Sequence, residues 1–152
     1  MPDIVDPQTR SRMMSGIRGK NTKPELMIRK GLHVCGFRFR LHARNIPGKP
    51  DLVLPRYRAA IMVHGCFWHV HDCHLFKMPS TRTEFWKAKL EGNRQRDARV
   101  REQQLEAGWR RLVIWECALK GKTRRDPGEV LDRASRWITS DSPEGLIEGM
   151  RA

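Results

Sequence analysis

Apolar residues recur along the chain at two spacings, one helical and one alternating, and together they predict a mixed α/β domain. The first helical run follows Thr22, a suitable N-cap with Pro24 in the first turn, and Gly36 is well placed to end it. A heavily charged helix is predicted for residues 83–104 and an amphipathic one for about 127–138. Short apolar or alternating runs predict strands at residues 37–41, 52–54, 59–63 and 112–115. We therefore expect one domain with a small mixed central sheet flanked by helices.

The two ends of the chain lie outside this pattern. Residues 1–22 are polar and basic and are interrupted by glycine and proline, which predicts an arm in which Met14 and Ile17 line one side of a short helix. The periodic segments occupy residues 23–140, and the polar remainder, residues 141–152, is predicted to be a tail. The chain has no apolar run of about eighteen residues and no signal-peptide layout at its start, so we expect a cytoplasmic protein without a membrane span.

The net charge is the first feature that bears on function. Thirty lysines and arginines oppose 17 acidic residues, which leaves a formal charge of +13 spread along the chain. Such a surplus attracts polyanions, most often nucleic acid, because each neutralised phosphate releases condensed counterions. A basic surface that serves only solubility, or a ribosome-associated protein, is the alternative interpretation.

Two cysteines and three histidines are packed into the nine residues from Cys66 to His74. Zinc prefers thiolate and imidazole ligands in a closed tetrahedron, and cysteines in a cytosolic protein favour metal binding or catalysis over disulfides. The spacing is not that of a Cys₂His₂ finger. A further ligand could be Cys117, which follows the predicted strand at 112–115, or Cys35, or His74. Cys35 lies in the apolar face of the first predicted helix and is better explained as a small core residue.

A carboxylate and an imidazole are predicted at neighbouring strand ends. Asp51 follows Pro50 at the start of one strand, and His64 ends the next. A carboxylate at a strand end suits Mg²⁺, which takes oxygen ligands and keeps several waters. Nucleases with a Pro-Asp strand often carry an acid and a lysine on the following strand, and neither is present here, so this pattern alone is weak.

Longer motifs around these residues carry a family resemblance. They are His-Gly-Cys-Phe-Trp-His from residue 64, His-x-Cys from 71, Thr-Arg-Thr-Glu-Phe-Trp from 81, Trp-Glu-Cys-Ala-Leu from 115, Thr-Arg-Ser-Arg from 9, Pro-Glu from 24 and Pro-Gly-x-Pro-Asp from 47. From about residue 8 to 138 the chain closely resembles the very short patch repair (Vsr) DNA mismatch endonucleases. The resemblance implies a restriction-endonuclease-like fold with a structural zinc site.

The resemblance also implies a reaction and a place for each catalytic residue. Members of the family cut one strand immediately 5′ of the thymine in a T:G mismatch, in the context CT(A/T)GG, which starts repair of deaminated 5-methylcytosine. By resemblance, Asp51 binds Mg²⁺ together with the main-chain carbonyl of Val63, a position where the family tends to have threonine. His69 is then the general base, His64 contacts the scissile phosphate, and Glu25 holds metal-bound waters.

The same resemblance assigns the zinc ligands and the DNA contacts. The implied zinc ligands are Cys66, His71, Cys73 and Cys117. The residues implied to contact DNA are an aromatic wedge beside the mismatch and two arm residues in the opposite groove, namely Phe67, Trp68, Trp86, Met14 and Ile17. Core packing is the better interpretation of the remaining tryptophans, Trp109, Trp115 and Trp137. The implied partner is duplex DNA with a T:G mismatch, and we expect a monomer in the bacterial cytoplasm, associated with the nucleoid and with mismatch-repair proteins.

Two other functions are compatible with parts of the sequence. A restriction-type endonuclease of the same fold would cut both strands at a matched site, but it requires a homodimer, and no dimer seam is evident. A zinc-stabilised DNA-binding protein would have no use for Asp51, His64, His69 and Glu25 together.

Overall fold

A five-stranded mixed sheet organises residues 22–150, the part of the chain that the structure, a computed structural model, describes. Its strands lie side by side in chain order: β1 (Arg40–Leu41), β2 (Leu52–Leu54), β3 (Ala59–His64), β4 (Arg110–Trp115) and β5 (Glu144–Ile147). The first three strands pair antiparallel, whereas β4 runs parallel to β3 and β5 runs parallel to β4. Each parallel pair is connected through a helix, as parallel crossovers require. The predicted small mixed sheet is confirmed.

Three helices flank the sheet: α1 (Lys23–Val34), α2 (Thr83–Glu106) and α3 (Pro127–Thr139). The hydroxyl of Thr22 accepts a hydrogen bond from the Glu25 amide, and Asp126 caps α3 in the same way. Gly36 follows α1 with φ +96° and Gly108 follows α2 with φ +83°, conformations that favour glycine. The helix boundaries therefore agree closely with those predicted from the sequence. None of the helices in residues 22–150 is long and apolar enough to cross a membrane.

The main core lies between one face of the sheet and the pair α1 and α3. Its fully buried side chains include Ile28, Leu32, Leu52, Leu54, Ile61, Leu112, Ile114, Val130 and Ile138. Trp137 packs against this core, as predicted. Burial of such side chains contributes about 1.5–3 kcal/mol each. This layer holds the sheet and therefore fixes the strand ends on which the site is built.

The opposite face of the sheet carries a smaller cluster and is covered by α2. Ala60, Met62 and Val113 are buried there, with Trp115 packed beside them. Gln104 of α2 is fully buried, and its amide nitrogen donates to the carbonyl of Pro47 at 2.9 Å. Its oxygen accepts from Nε of Arg111 at 2.9 Å. The side chain thus ties α2 to the turn that precedes Asp51.

Two expectations about local structure need correction. Strand β1 comprises Arg40–Leu41 alone, rather than residues 37–41. Cys35 is exposed, as is the preceding Val34, so Cys35 is not a core residue. Ile28 and Leu32 bury one stripe of α1, whereas Val34 lies two positions further on, and Cys35 caps the helix where the chain turns away.

The C-terminal region differs most from the expectation. Its composition predicts a polar tail, but Glu144–Ile147 forms the edge strand β5. Only Ile147 of this strand is buried, which explains why its sequence reads as polar. Glu144 forms an ion pair with Arg101 of α2, which fastens the edge of the sheet to the helix above it. Residues 1–21, including Met14 and Ile17, lie outside the described residues.

Candidate functional site

A cleft of about 920 Å³ opens between the N-terminus of α1, the end of β3 and the middle of α2. The side chains predicted to be catalytic all line it: Glu25, Asp51, His64 and His69. They come from four separate segments, because α1, the turn before β2, the end of β3 and the following loop meet at this edge of the sheet. The structure therefore brings the predicted catalytic residues together.

Two acidic side chains face each other in the cleft. Oδ2 of Asp51 accepts a hydrogen bond from the Val63 amide at 2.7 Å. Glu25 is 2% exposed, and its Oε2 lies 2.9 Å from Nε2 of His42 and 3.2 Å from a guanidinium nitrogen of Arg29. Burial, and secondarily the neighbouring Glu25, raise the pKa of Asp51 to about 6. A divalent cation bound here would offset the cost of holding both carboxylates ionised, so the pair suits an oxygen-preferring ion.

The two histidines of the cleft are stacked on one another. The ring centroids of His64 and His69 are 3.7 Å apart, and the rings are tilted by 4°. Burial lowers the pKa of His64 well below its usual value, with smaller contributions from His69 and Arg111. Its Nδ1 is buried and has no hydrogen-bond partner among residues 22–150. His64 is therefore neutral near pH 7.

His69 has a carboxylate partner that sequence reasoning missed. Its Nδ1 lies 2.7 Å from Oδ2 of Asp97, on α2. A carboxylate at Nδ1 selects the tautomer in which Nε2 carries the lone pair, and this is the form that can accept a proton. One turn earlier, the Asn93 amide donates to the carbonyl of Trp68 at 3.0 Å, which fixes α2 against the same loop. The only sequence signal for Asp97 was an acid set among the arginines of the charged helix α2.

A second group of side chains, which we call the thiol cluster, consists of Cys66, His71, Cys73 and Cys117. One ligand atom from each lies within 4.8 Å of the others. Nδ1 of His71 is 3.7 Å from the Cys66 sulfur and 3.5 Å from the Cys117 sulfur. Tetrahedral zinc with thiolate and imidazole ligands requires nitrogen–sulfur separations of about 3.6 Å. The cluster could therefore hold a metal ion, and of the candidates for the further ligand, Cys117 is the residue that the fold delivers.

Burial shapes the chemistry of the thiol cluster. It raises the pKa of the Cys66 and Cys117 thiols, and the neighbouring Cys73 raises both pKa values further. Without a cation the thiols are consequently neutral, and a bound metal would favour the thiolates. His74 is not part of the group, since its Nδ1 lies 3.4 Å from the hydroxyl of Thr123.

Residues beyond β5 support the thiol cluster from outside, and the sequence analysis missed them as well. Nε2 of His71 lies 2.8 Å from Oε2 of Glu148, the arrangement in which metal-bound imidazoles usually donate their second N–H. The amide of Gly149 donates to the Cys117 sulfur at 3.3 Å. A Cβ at Gly149 would lie 2.6 Å from the carbonyl oxygen of Cys117, so only glycine permits this approach. The ring of His71 also stacks on Trp115 at 4.1 Å.

The predicted aromatic wedge forms one contiguous cluster. The ring centroid of Phe67 lies 5.1 Å from that of Trp68 and 5.5 Å from that of Trp86, and the centroids of the two tryptophans are 5.9 Å apart. All three are only half-buried, and Phe67 and Trp68 line the cleft. They lie outside both hydrophobic cores of the described residues. By contrast Trp115 packs in the smaller core, and Trp109 is half-buried beneath the guanidinium of Arg58.

Comparison with known proteins connects this geometry to one family. The family described as DNA mismatch endonuclease Vsr matches residues 2–75. The DNA mismatch endonuclease Vsr of Escherichia coli (strain K12) is 40% identical over 148 residues, which cover 97% of this chain and 95% of the relative. The chain belongs to the Vsr family of DNA mismatch endonucleases.

Two further relatives of this Vsr-family protein are described as type II nicking enzymes. That of Xanthomonas oryzae pv. oryzae is 44% identical over 78% of this chain and 88% of its own length. That of Neisseria meningitidis serogroup A is 40% identical over 80% of this chain and 87% of its own. Since these relatives are DNA endonucleases, the chain is a DNA endonuclease, and DNA is its substrate.

Cationic side chains surround the cleft of this Vsr-family endonuclease. They are Lys23, Lys49, Lys89, Arg96, Arg111 and Lys120. Positive side chains concentrated around a cleft raise the local concentration of a polyanion and neutralise phosphates that enter it. The charge surplus noted in the sequence is thus represented around this cleft.

Proposed function

We propose that this endonuclease nicks one strand of duplex DNA 5′ of the thymine in a T:G mismatch, by hydrolysis that uses Mg²⁺ and a histidine base. The observation that carries the proposal is the pairing of His69 with Asp97 at 2.7 Å in the cleft that also holds Asp51 and Glu25. The E. coli relative is described as a mismatch endonuclease, which supports the choice of substrate. A restriction-endonuclease-like core is part of the same proposal.

The divalent ion would be held by Asp51 and the main-chain carbonyl of Val63. The Val63 amide donates to Asp51, and the N–H and C=O groups of a strand residue point to the same side of the strand. The carbonyl is therefore directed towards Asp51, and Glu25 lies near enough to hold the waters of the ion. When bound, the ion would stabilise charge on the phosphate and the leaving oxygen.

His69 would act as the general base. Asp97 accepts the hydrogen on Nδ1 and leaves Nε2 free to take a proton from water as the water oxygen attacks phosphorus. The carboxylate then stabilises the imidazolium that results. Neutral His64, stacked on His69, would contact the scissile phosphate as a hydrogen-bond donor.

The thiol cluster would hold a structural zinc ion. Four protein ligands close the coordination sphere, so no position remains for a reacting water. Because Cys66 and His71 flank His69 in sequence, a metal bound there fixes the loop that presents the base. Zinc would thus contribute to catalysis only by positioning His69.

The half-buried aromatic cluster would recognise the mismatch by entering the base stack. Phe67, Trp68 and Trp86 offer flat apolar surface beside the cleft. Unstacking a base step costs a few kcal/mol, roughly, and less where the pair is mismatched. The arm of residues 1–22, with Met14 and Ile17, would grip the opposite groove, ahead of an endonuclease domain that begins at residue 23 and includes strand β5. We further propose a monomer at the bacterial nucleoid that works with mismatch-repair proteins.

The proposal is tested with two end-labelled duplexes that differ only by a T:G mismatch within CT(A/T)GG. In Mg²⁺ we expect one nick 5′ of the mismatched thymine, no cutting of the matched duplex, and loss of nicking in His69→Ala. His33→Ala, a change at an exposed histidine on α1, serves as the control and keeps full activity. Cutting of both strands in the matched duplex would contradict the proposal in favour of a restriction-type enzyme. Binding without cutting in any divalent ion would contradict catalysis.

A further inference from the structure

An imidazole lies beside the proposed magnesium site and has no role in the chemistry described so far. His42 directly follows β1, and its Nε2 lies 2.9 Å from Oε2 of Glu25. Its main-chain amide donates to the carbonyl of Asp51 at 3.1 Å. One ligand atom from each of Glu25, His42 and Asp51 lies within 4.8 Å of the other two. Three elements thus bring an imidazole and two carboxylates to one point.

The backbone of His42 is held in an uncommon conformation. Its φ is +49°, in the left-handed region that disfavours residues with a Cβ. Such conformations persist where the surrounding structure fixes them, and they cluster at sites that bind ligands. The side chain is 20% exposed and is directed at Glu25 instead of solvent. The conformation therefore places the ring against the carboxylates of the cleft.

The arrangement matches a coordination sphere with one nitrogen ligand. Neighbouring ligands about 2.1 Å from an octahedral ion lie about 3 Å apart, and the separation between His42 Nε2 and Glu25 Oε2 is 2.9 Å. Mg²⁺ takes oxygen ligands almost exclusively. Imidazole suits first-row transition ions, and among them Mn²⁺ is the ion that carboxylates also suit.

We propose that His42 binds the divalent ion through Nε2, so that this endonuclease has a mixed nitrogen and oxygen site that prefers Mn²⁺ over Mg²⁺. The inference rests on the proposed function in that it takes Asp51 as a ligand of the same ion. It departs from that proposal in two respects, since Glu25 would bind the ion directly and Mn²⁺ would replace Mg²⁺ as the preferred ion. The alternative role for His42 is to orient Glu25 by a hydrogen bond alone. The two roles differ in their consequence, because only a ligand changes which ion the site prefers.

The test measures Mn²⁺ binding to the full chain, loaded with one equivalent of zinc so that the thiol cluster is filled. Electron paramagnetic resonance gives the affinity from the loss of the free Mn²⁺ signal, competition with Mg²⁺ gives the preference, and pulsed measurements detect nitrogen bound directly to manganese. The variants are His42→Gln, which keeps a hydrogen-bond donor for Glu25, and Asp51→Asn. His33→Gln applies the same change to an exposed histidine and serves as the control. Thermal melting and zinc content are recorded for each variant.

We expect directly bound nitrogen in the wild-type protein and in His33→Gln. In His42→Gln the nitrogen coupling should disappear, and the preference for Mn²⁺ over Mg²⁺ should fall by at least about tenfold. A wild-type spectrum without nitrogen coupling would overturn the inference, whether or not the variants fold. So would unchanged coupling and preference in a folded His42→Gln. If Asp51→Asn also binds Mn²⁺ with unchanged affinity, the proposed divalent-ion site itself is wrong, which separates the two failures.

Discussion

The thiol cluster and the cleft share the loop after β3 but differ in their surroundings. The thiol cluster is enclosed, with Cys66 and Cys117 fully buried and its outer contacts made by the main chain at Gly149 and the side chain of Glu148. The carboxylates and histidines of the cleft instead line an open space of about 920 Å³ ringed by cations. One group is largely buried, and the other lines a cleft that is open to solvent.

This contrast indicates how the protein separates stability from reactivity. Four soft protein ligands would fill every coordination position of a metal ion, which would then only hold the chain together. An open set of oxygen and nitrogen atoms leaves positions for substrate, at the cost of burying charges such as Asp51. Because both sets draw on residues 64–73, the rigid group can hold the reactive one in place.

The largest effect, on zinc content and stability, is expected from removing one ligand of the thiol cluster. Cys117→Ser should reduce zinc content from about one per chain to nearly none and lower Tm by roughly 10 °C or more, since metal binding is coupled to folding. Metal analysis and thermal melting measure both quantities. Cys35→Ser is the matched control, because that cysteine is exposed. A Cys117→Ser protein with wild-type zinc content would show that the cluster is not a metal site.

The nicking rate should depend on the carboxylate partner of His69. Asp97→Asn keeps an oxygen that can accept from His69 Nδ1 but removes the negative charge that stabilises the imidazolium, so we expect the single-turnover nicking rate to fall roughly 10²-fold with zinc content and Tm unchanged. Quenched-flow cleavage of an end-labelled mismatched duplex gives the rate. A wild-type rate in this variant would mean that the charge of Asp97 does not assist the base.

Glu148, the carboxylate beside the thiol cluster, should affect zinc affinity instead of the nicking rate. Glu148→Gln weakens the hydrogen bond to His71, and we expect zinc affinity to fall about 10- to 100-fold. Nicking at saturating zinc should stay at the wild-type level. Competition with a chromogenic chelator measures the affinity. If nicking falls at full zinc occupancy, the separation between the two groups does not hold.

The smallest effect is expected at Val63. The proposed ligand is its main-chain carbonyl, so Val63→Thr, which restores the residue typical of the family by resemblance, should leave the nicking rate within about threefold of wild type. The same cleavage assay checks this. A large gain in nicking rate would mean that the threonine hydroxyl, and not the main-chain carbonyl alone, supports catalysis at this position.

The site can be predicted from the sequence where its residues are neighbours along the chain, but not where it depends on which face of a helix meets the loop. Cys66, His71 and Cys73 lie within one loop, so their spacing alone indicated a metal site. Asp97 was missed because polar residues surround α2 on every side, and only Leu90 and Gln104 of this helix are buried. No apolar stripe shows which face of α2 meets the loop.

The C-terminal region was missed for a related reason. Strand β5 lies at the edge of the sheet and buries only Ile147, so its sequence lacks the alternation that predicts a strand. The contacts of Glu148 and Gly149 with the thiol cluster depend on that strand, so they could not be predicted without it. His42 was likewise unremarkable in sequence, since its nearness to Glu25 arises only when β1 pairs with β2.

The central claim is that neighbouring histidines in one loop serve the two groups separately, and the pair His69→Gln and His71→Gln tests it most directly. Zinc content, Tm and single-turnover nicking are measured on the same preparations. We predict that His69→Gln keeps its zinc and its Tm but loses about 10²- to 10⁴-fold in rate, whereas His71→Gln loses zinc and stability. Loss of zinc in His69→Gln, or a wild-type nicking rate in that variant, would contradict the account.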